Sequence, residues 1–294
     1  MYLGIDIGGT FIKYALIDEN NKVIKKWKKD SDLKETKDEF YDYLCDDLDK
    51  YEYESIGISA PGVIDSNSKV LSKAAENVQI MYGTNVNMEV SKRVNKKVAT
   101  INDAKAAGYC EFLLGNGKGT KSSVYFIIGT GIGGCLCDNQ GVIQGVNGIA
   151  GEFSMISLTN NEDNPQFFAS IASITALVKI YNKNSNEKLK YGTEVCKKYL
   201  NNDEVAIKVM EEWVDNICLC LYNIVLFINP EVICLGGGIS EEDWFIELVR
   251  KRFTNMKKHF MDICTTNIKG CLYNNDSNLL GAVLYSKEVN KFND

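Results

Sequence analysis

The sequence has little of what builds metal sites, and it lacks the segments that mark membrane and secreted proteins. Its 294 residues include one histidine, His259, and no two of its ten cysteines are spaced C-x2-C, so a structural zinc site is not expected. No apolar run is long enough to span a bilayer, and the N-terminus lacks the basic and apolar regions of a signal peptide. We therefore expect a cytoplasmic protein that does not bind membranes.

Positive charge is also scarce relative to negative charge. The 33 Lys and Arg residues against 39 Asp and Glu give a formal net charge of −6, and no long basic block offsets it. We therefore expect no nucleic-acid partner. The cysteines allow two interpretations, disulfides or buried thiols. The second is favoured, because Cys218, Cys220 and Cys234 lie in apolar runs of a long chain that we expect to be cytosolic.

Hydrophobic patterning predicts strands that alternate with helices, which is typical of α/β layers. The longest predicted helix, residues 206–228, ends at Asn229-Pro230, because proline cannot continue a helix. The predicted strands are residues 2–8, 11–18, 22–29, 55–59, 98–102 and 231–235. The other predicted helices are residues 34–48 and 103–114, one from about 241 and one from about 278.

The opening of the chain recurs after a Gly/Lys-rich stretch at residues 115–121, which has the composition of a linker. Residues 123–143 resemble residues 2–24, since each has an apolar strand, a glycine turn, a second strand and an acidic or Asn turn. The match is short enough to arise by chance. Its start directly after the predicted linker favours a duplicated strand-turn-strand unit.

Glycine-rich turns follow three of the apolar strands. Glycine lets backbone N–H groups approach an anion without a Cβ in the way. One such turn is typical of a hairpin, but three after three strands indicate nucleotide binding. They are not Walker A loops, since no Gly-Lys-Ser/Thr follows, and the first two lead into strands rather than helices. The turns are Asp6-Ile7-Gly8-Gly9-Thr10, Gly129-Thr130-Gly131-Ile132-Gly133-Gly134 and Gly236-Gly237-Gly238.

Two aspartates stand beside strand ends. Asp6 either caps its turn or holds Mg²⁺ through water, because Mg²⁺ keeps much of its hydration shell. Asp103 follows Asn102 at a strand end and opens a helix, so it is either an N-cap or a catalytic carboxylate in the crevice where α/β proteins place such groups. As a base, Asp103 would orient and deprotonate a hydroxyl that attacks a phosphoryl group.

A set of short motifs runs in order along nearly the whole chain. Together the motifs resemble the ROK family (repressors, ORFs, kinases), and they are specific as a set. They are Asp6-Gly8-Gly9-Thr10, Pro61-Gly62, Asn102-Asp103-Ala104, Gly129-Thr130-Gly131-Gly133-Gly134, Ala150-Gly151-Glu152, Gly236-Gly237-Gly238 and Leu280-Gly281-Ala282.

The resemblance implies an α/β protein with the two-domain actin-like ATPase (ribonuclease H-like) fold and an active-site cleft between the domains. It implies a first domain over residues 1–118, completed by a C-terminal helix at 278–294, and a second domain over 119–277 that binds ATP and dimerises. The expected partners are therefore ATP with Mg²⁺, a sugar substrate and a second copy of the chain.

The resemblance also assigns residues to roles. By that assignment Asp103 is the catalytic base. The residues that contact the ATP phosphates are Gly8, Gly9, Thr10, Gly129, Thr130, Gly131, Gly133 and Gly134. The residues that flank the adenosine are Gly236, Gly237 and Gly238. The residues that contact the sugar are Gly62, Asn77, Asn102, Asp103 and Glu152.

The sequence departs from the family near the expected sugar. Met155 stands where members usually have a histidine that contacts sugar and binds zinc, and Ala169 stands in place of a sugar-binding glutamate. Residues 159–168 (TNNEDNPQFF) replace the family's cysteine cluster, and Lys105 replaces the second asparagine of Asn-Asp-Ala-Asn. We therefore expect no zinc, and fewer polar contacts at sugar carbons 1 and 2.

The favoured function is ATP-dependent phosphorylation of the 6-hydroxyl of a hexose or N-acetylhexosamine. Because Met155 and Ala169 leave room for a substituent, N-acetyl-D-mannosamine is the first choice, with a glucokinase or a β-glucoside kinase as alternatives. A DNA-binding repressor is disfavoured, because the chain opens on the first predicted strand with no helix-turn-helix in front. A non-catalytic sugar-binding protein is disfavoured because Asp6, Asp103 and all three glycine turns are kept.

Overall fold

The computed structural model describes residues 1–73, 76–159, 165–260, 263–273 and 276–291, with the backbone alone at 259 and 260. The side chain of His259 and residues 160–164, both part of the argument about zinc, lie outside the described residues.

Within the described residues, strands and helices alternate along most of the chain. The strands are β1 (Tyr2–Ile7), β2 (Phe11–Ile17), β3 (Val23–Asp30), β4 (Ser55–Ala60), β5 (Lys97–Asn102), β6 (Ser122–Ile128), β7 (Ile132–Asp138), β8 (Gly141–Val142), β9 (Val232–Gly236) and β10 (Asn267–Gly270). The α-helices are α1 (Lys37–Cys45), α2 (Val86–Val94), α3 (Asp103–Leu114), α4 (Phe168–Ala172), α5 (Ile174–Asn184), α6 (Gly192–Leu200), α7 (Glu204–Ile228), α8 (Asp243–Phe260) and α9 (Ser277–Lys291).

The chain divides into two compact units. The first unit contains Met1–Gly115, Gln140–Ala150 and Asn275–Asp294, and the second contains Asn116–Asn139 and Gly151–Asn274. Compactness does not by itself show that a unit folds independently, so the domain boundaries inferred from the sequence stay a prediction.

The sheet of the first unit is mixed, with the strand order β3-β2-β1-β4-β5. The pairs β1–β2 and β2–β3 are antiparallel, whereas β4 pairs in parallel with β1 on one side and with β5 on the other. The carboxyl ends of β1, β4 and β5 therefore lie at one edge of this sheet. That edge is where a sheet of this kind places its functional groups.

Helix α9 lies directly on the first sheet, and glycines make the close approach possible. A Cβ on Gly57 of β4 would overlap the Ala282 carbonyl of α9, and a Cβ on Gly281 would overlap the Ala106 carbonyl of α3. A side chain at either position would push the helices apart. Helix α9 thereby holds both β4 and the first turns of α3 in place.

Within the second unit the strands run in the order β10-β9-β6-β7. Strands β6 and β7 form an antiparallel hairpin, and β9 pairs in parallel with β6 and with β10. Helix α7 buries a continuous apolar stripe that includes Trp213, which is fully buried. The helix ends at Asn229, which adopts the left-handed conformation (φ 46°) that frequently closes helices.

The predicted strands and helices are confirmed, and α3 has the predicted bounds, residues 103–114. The elements that the patterning missed are α2, α4, α5, α6 and β10. In α4, with 5 residues, and β10, with 4, too few residues repeat for a period to be visible. Among the described residues, no helix combines the length and apolar character that crossing a membrane requires.

Candidate functional site

Asp6, near the carboxyl end of β1, is a buried carboxylate held by partners from three elements. Its Oδ1 accepts hydrogen bonds from Ser59 Oγ of β4 (2.8 Å) and Asn278 Nδ2 of α9 (3.0 Å). Its Oδ2 lies 3.5 Å from Lys13 Nζ of β2. A buried ionised carboxylate is stable only with such partners. The structure thus places one fixed negative charge beside the first glycine turn.

The first glycine turn, Gly8–Thr10, is fastened to the protein through its carbonyl groups. The carbonyls of Gly8, Gly9 and Thr10 accept hydrogen bonds from Ser31 Oγ (2.5 Å), Asn77 Nδ2 (3.2 Å) and Ser31 N (2.9 Å), respectively. In a trans peptide the C=O and the following N–H point in opposite directions. The N–H groups of Gly9 and Thr10 therefore point away from these partners, which suits an anion.

Asn77 was predicted from the family resemblance as a sugar contact. The structure places it in a 3-10 helix, Glu76–Met81, where its side chain bonds Gly9. This contact brings the Asn77 segment to the first glycine turn. The predicted contact with sugar stays a prediction.

Asn102 and Asp103 join the end of β5 to the turn after β4. Asn102 Nδ2 donates to the Gly62 carbonyl (2.9 Å) and to Asp103 Oδ1 (2.9 Å), while Asn102 Oδ1 caps α3 by accepting from Lys105 N (3.1 Å). Asp103 Oδ1 also accepts from Ala104 N (2.7 Å). The N-cap is therefore Asn102, and Asp103 is a half-buried carboxylate whose orientation these bonds fix.

Gly62 has a left-handed backbone (φ 87°), which favours glycine at this position. Because β1, β4 and β5 are parallel neighbours, Asp6, Gly62, Asn102 and Asp103 all lie at the same edge of the first sheet. The structure thus gathers these predicted residues of the first unit on one edge. Two aspartates there can supply a metal-binding carboxylate and a base.

In the second unit, the turn Gly129–Gly131 joins β6 to β7. The Gly129 carbonyl accepts from Ile174 N (2.9 Å), and the Thr130 carbonyl accepts from Thr175 Oγ1 (2.7 Å). These carbonyls are fastened to the first turn of α5, as those of the first glycine turn are fastened to Ser31 and Asn77. Gly131 is exposed, and a Cβ there would meet open space.

The next two glycines of this motif lie inside β7 rather than in the turn. A Cβ on Gly134 would overlap the Gly151 carbonyl, so this glycine is required for the close passage of two chain segments. Packing alone therefore accounts for Gly134. Phosphate contacts by Gly133 and Gly134 stay a prediction.

The third glycine turn follows β9. Gly237 has a left-handed backbone (φ 90°), and a Cβ on it would overlap the Ile128 carbonyl at the end of β6. Gly238, in contrast, faces open space and begins the 3-10 helix Gly238–Glu241. Gly237 is thus needed for the fold, whereas the space next to Gly238 is open.

A cavity of about 630 Å³ lies in the second unit, with Gly129, Thr130 and Gly238 in its wall. The rest of its lining is largely apolar, which suits a flat heterocycle better than a sugar. The apolar side is formed by Ile128, Ile174, Tyr191, Cys196, Leu200, Ile239 and Trp244, and the remaining lining residues are Gly192, Thr193, Lys197, Asn201 and Glu242. Burial raises the pKa of the Cys196 thiol to about 11, so this group is neutral at physiological pH.

Another 3-10 helix of the second unit, Phe153–Met155, follows Glu152 and ends at Met155. Glu152 is half-buried and precedes the first residue, and its carbonyl accepts from Met155 N (3.1 Å). The Met155 side chain is 68% exposed. Ala169 lies half-buried in α4. A thioether and a methyl group offer no hydrogen-bond donor to a sugar hydroxyl.

Among the described residues, no group of three or more His, Cys, Asp or Glu side chains is arranged to hold a metal ion. The expected absence of zinc stays a prediction. Asp6 alone offers a single carboxylate, which fits an ion that keeps most of its water.

Comparison with solved structures places the fold. The chain matches a ROK family protein of Streptococcus pneumoniae TIGR4, solved in complex with sucrose, with a TM-score of 0.89, 26% identity and 99% of both chains covered. It also matches a ROK family glucokinase of Streptomyces griseus, solved with glucose and AMPPNP, with a TM-score of 0.78, 22% identity and 98% and 99% of the two chains covered. The predicted α/β, actin-like ATPase fold is confirmed.

Several sequence relatives are named as sugar kinases. An N-acetylgalactosamine kinase of Shewanella sp. (strain ANA-3) is 27% identical over 97% of this chain and 96% of its own length. Other relatives at 24–27% identity are named glucokinase, β-glucoside kinase and N-acetylmannosamine kinase. The family model described as "ROK family" matches residues 2–289. This match spans nearly the whole chain, and the protein therefore belongs to the ROK family.

Proposed function

We propose that the protein is an ATP-dependent sugar kinase that phosphorylates the 6-hydroxyl of a hexose or N-acetylhexosamine, with Asp103 as the base. The observation that carries the proposal is the fixed Asp103 carboxylate at the end of β5, hydrogen-bonded by Asn102 and by Ala104 N. A general base must be held in one orientation to accept a proton from a bound hydroxyl.

In the proposed reaction, Asp103 accepts the proton of the sugar 6-hydroxyl as that oxygen bonds to the γ-phosphorus of ATP. The bond from the γ-phosphorus to the bridging oxygen breaks, and ADP leaves. Gly9 and Thr10 N–H, together with the Gly129–Gly131 turn, stabilise phosphate charge. Asp6 is the residue that would hold Mg²⁺ through water, and the ion when bound would neutralise charge on the phosphates.

The cavity of the second unit supports ATP as the phosphate donor. Its lining is mostly apolar, and Gly129 and Thr130 of a glycine turn form one side of it. We propose that the adenosine occupies this cavity beside Gly238. The turn residues then lie where the phosphates leave the nucleoside.

For the sugar, we propose N-acetyl-D-mannosamine as the first candidate. The support is the pair Met155 and Ala169, neither of which offers a donor to the 1- or 2-hydroxyl of free glucose. A buried hydroxyl without a partner costs about 1–3 kcal/mol, so glucose should bind less well than a sugar with a substituent there. Relatives named as kinases of four different sugars keep glucose, N-acetylgalactosamine and a β-glucoside as competitors.

A coupled assay of ADP release with these four sugars tests both parts of the proposal. We expect sugar-dependent ADP release that requires Mg²⁺, with the highest kcat/KM for N-acetyl-D-mannosamine. A large preference for glucose would remove the argument from Met155 and Ala169 while leaving the kinase. No stimulation by any of the four sugars would contradict the proposed activity.

A further inference from the structure

Lys105 is an unusual residue for its place in the fold. It lies in the first turn of α3, two residues after Asp103, and its side chain is only 1% exposed. The N-terminus of a helix carries partial positive charge, so a buried ammonium there is unfavourable unless its partners compensate for it. A neutral residue would satisfy packing at lower cost.

The ammonium reaches a separate part of the chain. Lys105 Nζ donates a hydrogen bond to the Gly148 carbonyl, in the 140–150 segment of the first unit. Gly148 is buried, whereas Val146 and Ile149 beside it are 90% and 59% exposed. The segment therefore rests on the first unit at Gly148, where Lys105 bonds it, and at Gln144, whose Nε2 donates to the Tyr285 hydroxyl of α9 (2.9 Å).

Gly148 also packs against the turn that follows β4. It has a left-handed backbone (φ 72°), and a Cβ on it would overlap the Ile64 carbonyl. Ile64 lies two residues after Gly62, whose carbonyl is bonded by Asn102. Asn102 in turn accepts a hydrogen bond from Lys105 N.

These contacts close a ring that includes two of the predicted sugar contacts, Gly62 and Asn102. The ring runs from Lys105 to Gly148 by a hydrogen bond, on to Ile64 by close packing, and along the chain to Gly62. From Gly62 it returns through Asn102 to the Lys105 backbone by two hydrogen bonds. A closed ring restricts each member more than an open chain of the same contacts, because no member can move without breaking a contact.

We propose that Lys105 is a positioning residue for the sugar acceptor, which acts through Gly148 by closing this ring. The inference rests on the proposed sugar kinase activity. The ammonium keeps the 140–150 segment and the turn at Gly62 in one arrangement with Asn102. A sugar then meets a prearranged set of groups, and less binding energy is lost in ordering them.

Lys105→Met tests the proposal, because it keeps the apolar stem and removes the ammonium. The sugar KM should rise roughly tenfold to a hundredfold, the loss typical of one hydrogen bond to a charged group. Because ground-state binding is lost, kcat should change by less than about threefold, and the KM for ATP should not change. The sugar used is the best wild-type substrate of the four in the panel.

Lys29→Met is the matched control. Lys29 is also a largely buried lysine of the first unit, 15% exposed, and it donates to two carbonyls, those of Tyr43 and Asp46. Its bonds lie outside the ring. We expect Lys29→Met to lower the melting temperature and to leave the sugar KM within about twofold of wild type. Equal sugar KM values in the two lysine variants would overturn the proposal.

Gly148→Ala opens the ring at a different contact, since the added Cβ overlaps the Ile64 carbonyl. It should raise the sugar KM as Lys105→Met does, and the double variant should be no worse than the more damaging single variant, because a ring once open cannot be opened again. Additive losses in the double variant would overturn the proposal.

If either variant fails to fold, hydrogen exchange of the wild-type protein still tests whether the ring is closed. Ala150 N bonds Gln144 O within the 140–150 segment, and Lys105 N bonds Asn102 Oδ1. We expect the Ala150 and Lys105 amides to exchange on the same time scale. Exchange of Ala150 at the rate of an unstructured peptide would contradict a closed ring. If the wild type phosphorylates none of the sugars, the proposed function fails, whereas this exchange result still tests the ring.

Discussion

The two hairpins that end in glycine turns have the same backbone arrangement, but the side chains beside their turns differ in charge. In each, an antiparallel strand pair ends in a glycine turn whose carbonyls are fastened by neighbouring groups. The second residue pair from the turn is Asp6–Lys13 in the first hairpin and Ile127–Gly133 in the second. At this position the first hairpin thus has an ion pair, whereas the second has an isoleucine opposite a glycine.

This difference separates two tasks that a phosphoryl-transfer enzyme must perform. The first turn stands beside a buried carboxylate that is tied to β4 and α9, and charge there can act on phosphates and metal. The second turn forms one side of a largely apolar cavity, which suits a nucleoside. A repeated turn thus takes its role from the side chains that the flanking strands place next to it.

The largest expected effect follows from removing the base beside the charged region. Asp103→Asn should fold normally and reduce kcat by about 10²–10⁴-fold, the usual loss for a general base. Asp203→Asn is the control, because Asp203 also stands at a helix start, where it caps α7 through Ala206 N. A steady-state assay should show the loss in the first variant alone. A kcat near that of wild type for Asp103→Asn would remove this residue from the role of base.

The second effect concerns the charge at Asp6, which distinguishes the first hairpin from the second. Asp6→Asn should raise the Mg²⁺ concentration for half-maximal activity by roughly tenfold to a hundredfold, since a charged hydrogen-bond acceptor is lost. Ile127→Val, at the matching position of the second hairpin, should cost about 0.5–1.5 kcal/mol of stability and leave that concentration unchanged. Magnesium titrations of both variants measure this. Equal responses would mean that the charge at Asp6 does not set the metal dependence.

The third effect concerns the third glycine turn, in the second unit. Gly237→Ala forces a side chain into a left-handed backbone position against the Ile128 carbonyl, so it should lower the free energy of unfolding by about 1–3 kcal/mol. Gly238→Ala meets open space and should change stability by less than about 0.5 kcal/mol. Denaturant unfolding separates the two variants.

The same pair of variants has a kinetic readout. Gly238→Ala should raise the KM for ATP and leave the KM for sugar unchanged, because Gly238 lines the cavity of the second unit. An unchanged KM for ATP would move the nucleoside out of this cavity.

The smallest effect compares two thiols. Burial raises the pKa of Cys45 in the first unit and of Cys196 in the cavity, in each case to about 11. Both thiols are neutral at pH 7, and since the thiolate is the nucleophile, alkylation of each should speed up about tenfold per pH unit until the pH nears 11. A non-hydrolysable ATP analogue should slow alkylation of Cys196 and not of Cys45, as peptide mass spectrometry would show. Protection of both or neither would contradict a nucleoside at Cys196.

The hairpins and the helix after Asn102 could be predicted from the sequence because their signals are local. Alternation of apolar residues gave β1, β2 and β6, and the Asn-Asp pair marked the start of α3. The cavity was not predicted, since Ile174, Tyr191 and Cys196 come from the short helices α5 and α6 or directly precede one of them. Ser173, which caps α5 through Ala176 N, and Glu194, which accepts from Tyr191 N at the start of α6, were local signals that could have located this region.

The ring at Lys105 could not be predicted for a different reason. Its contacts join residues far apart in the chain, such as Gly148 and Ile64, and nothing in either local sequence specifies the other. In the sequence, Lys105 was only a departure from a family motif. Its burial and its bond to the Gly148 carbonyl depend on the folded position of the 140–150 segment.

The proposed reaction is transfer of the γ-phosphoryl group of ATP to the sugar 6-hydroxyl, with Asp103 as base. Phosphorus and proton NMR of the reaction with the best sugar, run side by side for wild type and Asp103→Asn, tests it most directly. The wild type should form a sugar 6-phosphate in step with ADP, and the variant should form almost none over the same time. Phosphate on another oxygen, ADP without a phosphorylated sugar, or equal product from both proteins would contradict it.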